Sequence, residues 1–434
     1  MATPTTIPNH APGARNRPAS LWLVLALTFL GSVGTGAVTN GIFFITTSGL
    51  GYGRRLNLIL GAVFGVTYIA AALLAGPGLR ILARRVGWIS TRGVVACVLL
   101  AMGVVCQFPL LARETAAPGD TGLISPALWA MVLIYSPATG VLWPIVESYL
   151  SGGRSGTRLR TAVGRFNIVW SVALVGSFWA MAPLLEKRPF WILAGLGVIH
   201  LAMAAMMFAL PREPAKHADD QERHPPVYEA LLALFRVLLF ASYLILSAMN
   251  PIQPIILDRI GVALAWQTPV ASSWLAARVI IFALFERWHG WHGHWWVAWA
   301  GLGSMIAGFA LAVGAPIFGP LALVAFIAGL AGMGAGVAAI YCGALYYALS
   351  VGSSGVDAGG KHEAVIGMGY TIGPMLGLLA LSLSTSPGTE PDSERFRVWS
   401  ILLIAIAAMG IGFWGWRVAR AQRPKAAGTP PTTP

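Results

Sequence analysis

Charge is scarce in this chain. Only 10% of its 434 residues are Asp, Glu, Lys or Arg, against roughly 25% in soluble globular domains. Such a sequence cannot cover a water-facing surface, and at 56% hydrophobic residues it is equally far from a disordered composition. Acids are the scarcer sign, 16 against 29 bases, for a formal net charge of +13. A basic excess on a soluble domain suggests nucleic acid. Here the arginines sit between long apolar runs, so the implied partner is a lipid bilayer and not nucleic acid. Cysteine is scarce too. Cys97, Cys106 and Cys342 all fall inside apolar stretches, which excludes a disulfide-stapled scaffold and leaves them as small hydrophobes. No G-x-x-x-x-G-K-S/T loop is present, so ATP-driven transport by this chain is not expected.

What is abundant is apolar length. A helix needs about 20 apolar residues to cross the hydrocarbon. That ruler predicts spans near 21–46, 56–75, 93–111, 124–150, 162–185, 189–210, 230–257, 265–285, 295–315, 319–349, 363–384 and 397–417. The fold class is therefore all-α integral membrane, with 12 transmembrane helices. The tenth span is overlong and is expected to tilt, or to break around Gly332, Gly334 and Gly336. The first twenty residues are polar and Pro-rich, and no small-residue cleavage site closes the first apolar run. They read as a tail before a retained first helix, not a signal peptide.

Basic residues set the orientation. With both termini in the cytosol, 20 of the 29 Lys and Arg fall on that side and 8 on the other, leaving Arg278 inside a span. The multi-pass chain is expected in the plasma (inner) membrane. The hydrophilic stretch PREPAKHADDQERHPPVYEA, 211–230, halves the sequence. The expected organisation is a disordered tail 1–20, a six-helix bundle 21–211, a cytosolic linker 212–229, a second bundle 230–418 and a disordered tail 419–434.

The halves repeat. A shift of 202 residues aligns Leu82 with Leu284, Arg85 with Arg287, Ser148 with Ser350, and Ala162-Val163 with Ala364-Val365. One constant offset across three loops points to duplication.

Twelve spans, a central linker and duplicated basic loops after spans two and eight resemble the major facilitator superfamily, from about Leu21 to Arg417. The family's loop signature G-x-L-A-D-R-x-G appears as Arg80-Ile81-Leu82-Ala83-Arg84-Arg85-Val86-Gly87, with Arg80 and Arg84 replacing the first Gly and the Asp. The second copy keeps an acid–Arg pair, Glu286-Arg287. The resemblance implies two pseudo-symmetric six-helix bundles. It also implies a latch of the outward-facing state: Arg85 with Glu147 at the cytosolic end of the fourth helix, and Arg287 with Glu286 as the counterpart. In the eleventh helix Gly369, Gly373, Pro374 and Gly377 follow the G-x-x-x-G-P-x-x-G spacing of the drug–proton antiporters, whose copy lies in the fifth helix. Glycines four apart let helices approach and proline bends them. Generic small-residue packing is the alternative reading.

In the resembled fold, helices one, four, seven and ten line the cavity. They carry Thr39 and Asn40, then Tyr135 and Trp143, then Asn250 and Gln253, then Tyr341 and Tyr346. Aromatic walls with a few amides suit an amphipathic or aromatic solute. Any of these aromatics also fits packing or an interfacial belt. Arg278 either attracts an anionic substrate or snorkels about 10 Å to the cytosol. His200, mid-helix in span six, either carries a proton or packs. Glu147 is read as the only carboxylate clearly within a span. His289, His292 and His294 have spacings a metal could use, but with four nearby tryptophans they read as an interfacial belt.

The expected function is a secondary transporter moving a small organic solute by alternating access, coupled by resemblance to protons, with export slightly ahead of uptake. It is expected to act as a monomer without cofactor or metal. A non-transporting sensor on the same fold, or a membrane-embedded enzyme, are the alternatives. The enzyme would need convergent acids, histidines or nucleophiles, which the loops lack.

Overall fold

The computed structural model describes residues 17–117, 122–216, 225–351, 356–385 and 392–422. Among them there is no strand, and the helices make twelve crossings. The first, α1, runs through Leu21–Gly34, a π-helical turn Thr35–Asn40 and Ile42–Leu50. There follow α2 (Arg54–Arg85), α3 (Thr91–Thr115), α4 (Ile124–Ser151), α5 (Gly156–Leu185) and α6 (Pro189–Ala209). The second half comprises α7 (Val227–Arg259), α8 (Leu264–Arg287), α9 (Trp296–Gly314), α10 (Ala322–Ser350), α11 (Val356–Leu383) and α12 (Ser393–Ala421). An even number of crossings puts both chain ends on one face, here called the terminal face; the other is the far face.

Apolar side chains point outward as well as inward. Leu74, Val198, Ile280 and Phe413 are all more than half exposed. In water such a surface would aggregate; around a ring of spans it is the surface lipid covers, and the protein is a multi-pass membrane protein. The polar backbone is satisfied within the helices, as hydrocarbon requires. The regular helix pattern is broken in α1 and in α7. In α1 the Gly41 backbone amide donates to the Gly36 carbonyl, the five-residue step of a π turn, and the Asn40 side-chain amide donates to the Thr35 carbonyl. In α7, Pro251 and Pro254 lack the donors a regular helix needs, and the chain takes a short 3-10 turn, Asn250–Ile252.

Two six-helix bundles result, and the duplication is visible in register. Arg85 ends α2 and Arg287 ends α8, 202 residues apart. The bundles meet along α2 and α11, along α4 and α11, and where α5 faces α8. At Gly65 the approach to the Thr371 backbone leaves no room for a Cβ.

The structure differs from the sequence expectations at four places. The tenth span does not break at Gly332–Gly336: α10 is continuous, and Gly334 and Gly336 instead sit against the Trp274 and Gly301 carbonyls, where their lack of side chain permits close packing. The chain turns before it, at Gly319, with φ +55°. Residues 17–20 are not a free tail, because the Arg154 guanidinium donates to the Ala19 carbonyl. Likewise 212–216 are held on the first bundle, where the Arg92 amide donates to Arg212 and the Thr91 amide to Glu213. α12 continues to Ala421, past the expected boundary at 418. The remainder of the expected tails and linker, 1–16, 217–224 and 423–434, lies outside the described residues.

Candidate functional site

The interface between the bundles encloses a small cavity of about 30 Å³, lined from one side by Tyr68, Trp143 and Glu147 and from the other by Tyr243, Tyr341 and Glu363. These six side chains arrive on five helices, two from the first bundle and three from the second, so the chamber depends on how the bundles meet. Trp143 is held edge-on to Phe166. Tyr370 stands edge-on to Tyr68, Phe64 and Tyr243, with ring centres 5.5–6.0 Å apart. Such edge-to-face pairs fix ring orientation. The Tyr68 hydroxyl donates to the Glu363 carboxylate across the interface.

Arg278 lies behind this wall. It does not snorkel: its exposure is 0%, and its guanidinium sits 4.1 Å from the Trp170 ring, 4.9 Å from Tyr341 and 5.0 Å from Phe282. None of its three guanidinium nitrogens has a hydrogen-bond partner among the described residues; Tyr243 is nearby but outside hydrogen-bond geometry. Cation–π contact offsets about 2 kcal/mol per well-placed ring in a dry site. It leaves five N–H donors unmet, and an unmet buried charge costs several kcal/mol. The arrangement is a cation waiting for an acceptor.

Nearer the far face, a chain of carboxamides crosses between bundles. Asn250 donates to Asn40 at 2.8 Å, and Gln253 donates to Asn250 at 3.2 Å. All three are buried, and the Gln253 carbonyl oxygen has no partner. A second cavity of about 20 Å³ adjoins them, lined by Thr39, Phe64, Ser247, Asn250, Tyr370 and Pro374. Thr39, Asn40, Asn250 and Gln253 are all buried at this end.

The terminal face is more open. A cavity of about 360 Å³ lies between α5 and the pair α8 and α10, reached by Arg160, Asn167, Glu286, His292, Cys342 and Tyr346. His292 stacks on Tyr346 with centres 4.1 Å apart. Burial, then His289 and Arg160, push its imidazole down to about 4, so it is neutral at physiological pH.

The structure thus separates residues that sequence reasoning grouped. Asn40, Asn250 and Gln253 come together at the far side, and Trp143 and Tyr341 in the central chamber. Arg278 is beside the chamber, while Tyr346 lines the terminal-face cavity. The Tyr135 hydroxyl meets His200 Nε2 at 2.9 Å inside the first bundle, packed under Gly34. His200 has 0% exposure. The expected Arg85–Glu147 pair does not form. Arg85 is exposed, and Glu147 faces inward against Gly359 and Glu363. Nor do the exposed Glu286 and Arg287 make an ion pair with each other. The ion pair joining the bundles at the terminal face is Arg80 with Asp357, at 2.6 Å. Gly369 and Gly373 pack on the Tyr243–Ala248 stretch of α7, with Ser247 donating to the Gly369 carbonyl at 2.6 Å, while Pro374 and Gly377 face Gly61 and Leu58 of α2.

Sequence reasoning missed Glu363, Tyr68, Tyr243 and Tyr370. It called Glu147 the one carboxylate within a span, yet Glu363 is 6% exposed and seven residues inside α11, about 10 Å along the axis. The signal was a helical face, with Gly359, Glu363, Gly367 and Tyr370 recurring at three- and four-residue spacing.

No protein-family model matches the sequence, and no curated protein matches it. Solved structures do. The nucleoside transporter NupG superposes with a TM-score of 0.63 at 15% identity, covering 90% of this chain and 98% of that one. A bacterial homolog to the human lysosomal transporter Spinster, in an inward-facing and unoccupied conformation, gives 0.61 at 15% identity over 94% and 98%. The same protein inward-facing and occupied gives 0.58 at 14%. At these identities the likeness establishes architecture: the chain has the two-bundle helical fold of these solved transporters.

Proposed function

We propose that this protein is a secondary transporter that moves a small organic anion with a planar or aromatic body by alternating access, coupled to protons. The observation that carries the reading is Arg278, wholly buried, caged by three rings and without a hydrogen-bond partner. An intramembrane charge is expensive and marks a substrate or ion pathway. A carboxylate arriving beside it would fill two donors at once in the forked geometry arginine favours, while Trp170 and Tyr341 stack on the body of the solute. A chamber of about 30 Å³ holds water but no organic solute. Binding therefore requires the bundles to part, and the larger terminal-face cavity is the route. On this reading the terminal-face cavity opens toward the cytosol, both termini lie in the cytosol of the plasma (inner) membrane, and the monomer is the working unit.

Purified protein in proteoliposomes tests this. Labelled aromatic carboxylates should show saturable uptake that a neutral nucleoside, the kind of solute named for NupG, does not compete away. Flux of neutral solutes with none of anions would reject the substrate class; no saturable flux of any solute would reject transport.

A further inference from the structure

Glu147 and Glu363 come from opposite bundles, α4 and α11, and line the same cavity. The Glu147 carboxylate is pressed against Gly359 of α11, at a place where a Cβ would sit 3.0 Å from its Oε2. Glu363 accepts from the Tyr68 hydroxyl of α2. Tyr243 from α7, Tyr341 from α10 and Tyr370 from α11 line the cavity with them, while Arg278 from α8 lies against the Tyr341 ring and His362 from α11 stands edge-on to Tyr341. None of them makes an ion pair with either carboxylate, and the nearest buried cation, Arg278, is occupied by rings on three sides.

Two carboxylates facing one small interhelical cavity repel when both are ionised, and among the described residues no cation forms an ion pair with either. We infer that Glu147 and Glu363 form one proton-binding site shared between the bundles, and that loading it with a single proton holds α4 and α11 together. A proton from bulk water converts one carboxylate to a carboxylic acid, whose O–H donates to the remaining carboxylate. The pair falls from two negative charges to one. Releasing the proton restores the second charge and drives the helices apart. The site then couples proton occupancy to the same interface that opens for the solute. The inference deepens the proton-coupled reading above. It assigns the coupling proton to this pair and not to His200, which the Tyr135 contact places within one bundle.

The test uses the proton as its own probe. Proteoliposomes adsorbed on a solid-supported membrane are stepped from alkaline to neutral pH with no solute present. Proton binding at a buried site moves charge through the membrane dielectric and gives a transient current. The wild type should give that transient; Glu147→Gln and Glu363→Gln should each lose nearly all of it. Glu147→Asp and Glu363→Asp should retain it, which separates loss of a carboxyl from loss of fold, and His200→Asn should retain it fully. Wild-type currents in both glutamine variants, an equal loss in His200→Asn, or no transient in the wild type would each overturn the assignment. Solute flux is measured separately, so failure of transport and failure of this site are distinguishable.

Discussion

Asn250 donates its side-chain amide to Asn40 across the interface between the two bundles, and Gln253 completes the chain behind it. The contact ties α7 to the π turn of α1. Local π geometry in a helix recurs at functional positions, and here the Asn40 side-chain amide also reaches back to the Thr35 carbonyl.

Asn250→Ala removes the donor to Asn40 and the acceptor for Gln253 together. Leaving buried partners unmet costs about 1–3 kcal/mol, so the population should move toward far-face-open by roughly 5- to 150-fold. Labelling of Thr39→Cys by a thiol reagent added from the far face should accelerate accordingly. Unaltered labelling would mean the carboxamides only pack.

Arg278→Gln should weaken anion uptake by roughly 100-fold, from the loss of about 3 kcal/mol of charge-assisted bonding. Arg278→Lys keeps the charge but not the planar stack on Trp170, and so should recover only part. The concentration giving half-maximal uptake is the readout. Equal weakening for neutral solutes would make Arg278 structural.

His200→Phe leaves the Tyr135 hydroxyl without its partner. Thermal unfolding in detergent should report a loss of about 1–3 kcal/mol, while the pH profile of transport stays as in the wild type. A displaced profile would return His200 to the proton pathway.

The spans were legible because hydrocarbon demands long apolar runs and nothing else in the chain competes with that signal. The register of Arg85 and Arg287, each ending its helix, was legible for the same reason. What hydropathy could not convey was which face of a helix looks inward. Tyr135 and Trp143 both lie on α4, yet one is sealed under Gly34 and the other lines the chamber. Glu363 was lost by a related route. Its neighbours Lys361 and His362 lower local hydropathy, so the apolar run was begun there and the first turns of α11 were trimmed away. The terminal-face ion pair that is present uses Arg80, which stands where the family motif has Gly and reaches Asp357.

The Arg80–Asp357 pair is short but wet, with both side chains 55% exposed. Exposed pairs contribute about 0–1 kcal/mol and are screened by salt. Asp357→Asn should therefore change transport less than about fivefold, and the difference should vanish at high ionic strength. A large, salt-independent loss would make this pair the principal latch.

Reciprocal accessibility of the two faces tests the central claim most directly. On a background in which Cys97, Cys106 and Cys342 are replaced, single cysteines are placed at Thr39 near the far face and at Asn167 in the terminal-face cavity. An impermeant thiol reagent is then applied to one face at a time. The protein described here should label at Asn167→Cys and be protected at Thr39→Cys. Adding Asn250→Ala should reverse the pattern, raising one as the other falls. Labelling at the two positions that rises or falls together would contradict two bundles rocking about a shared chamber.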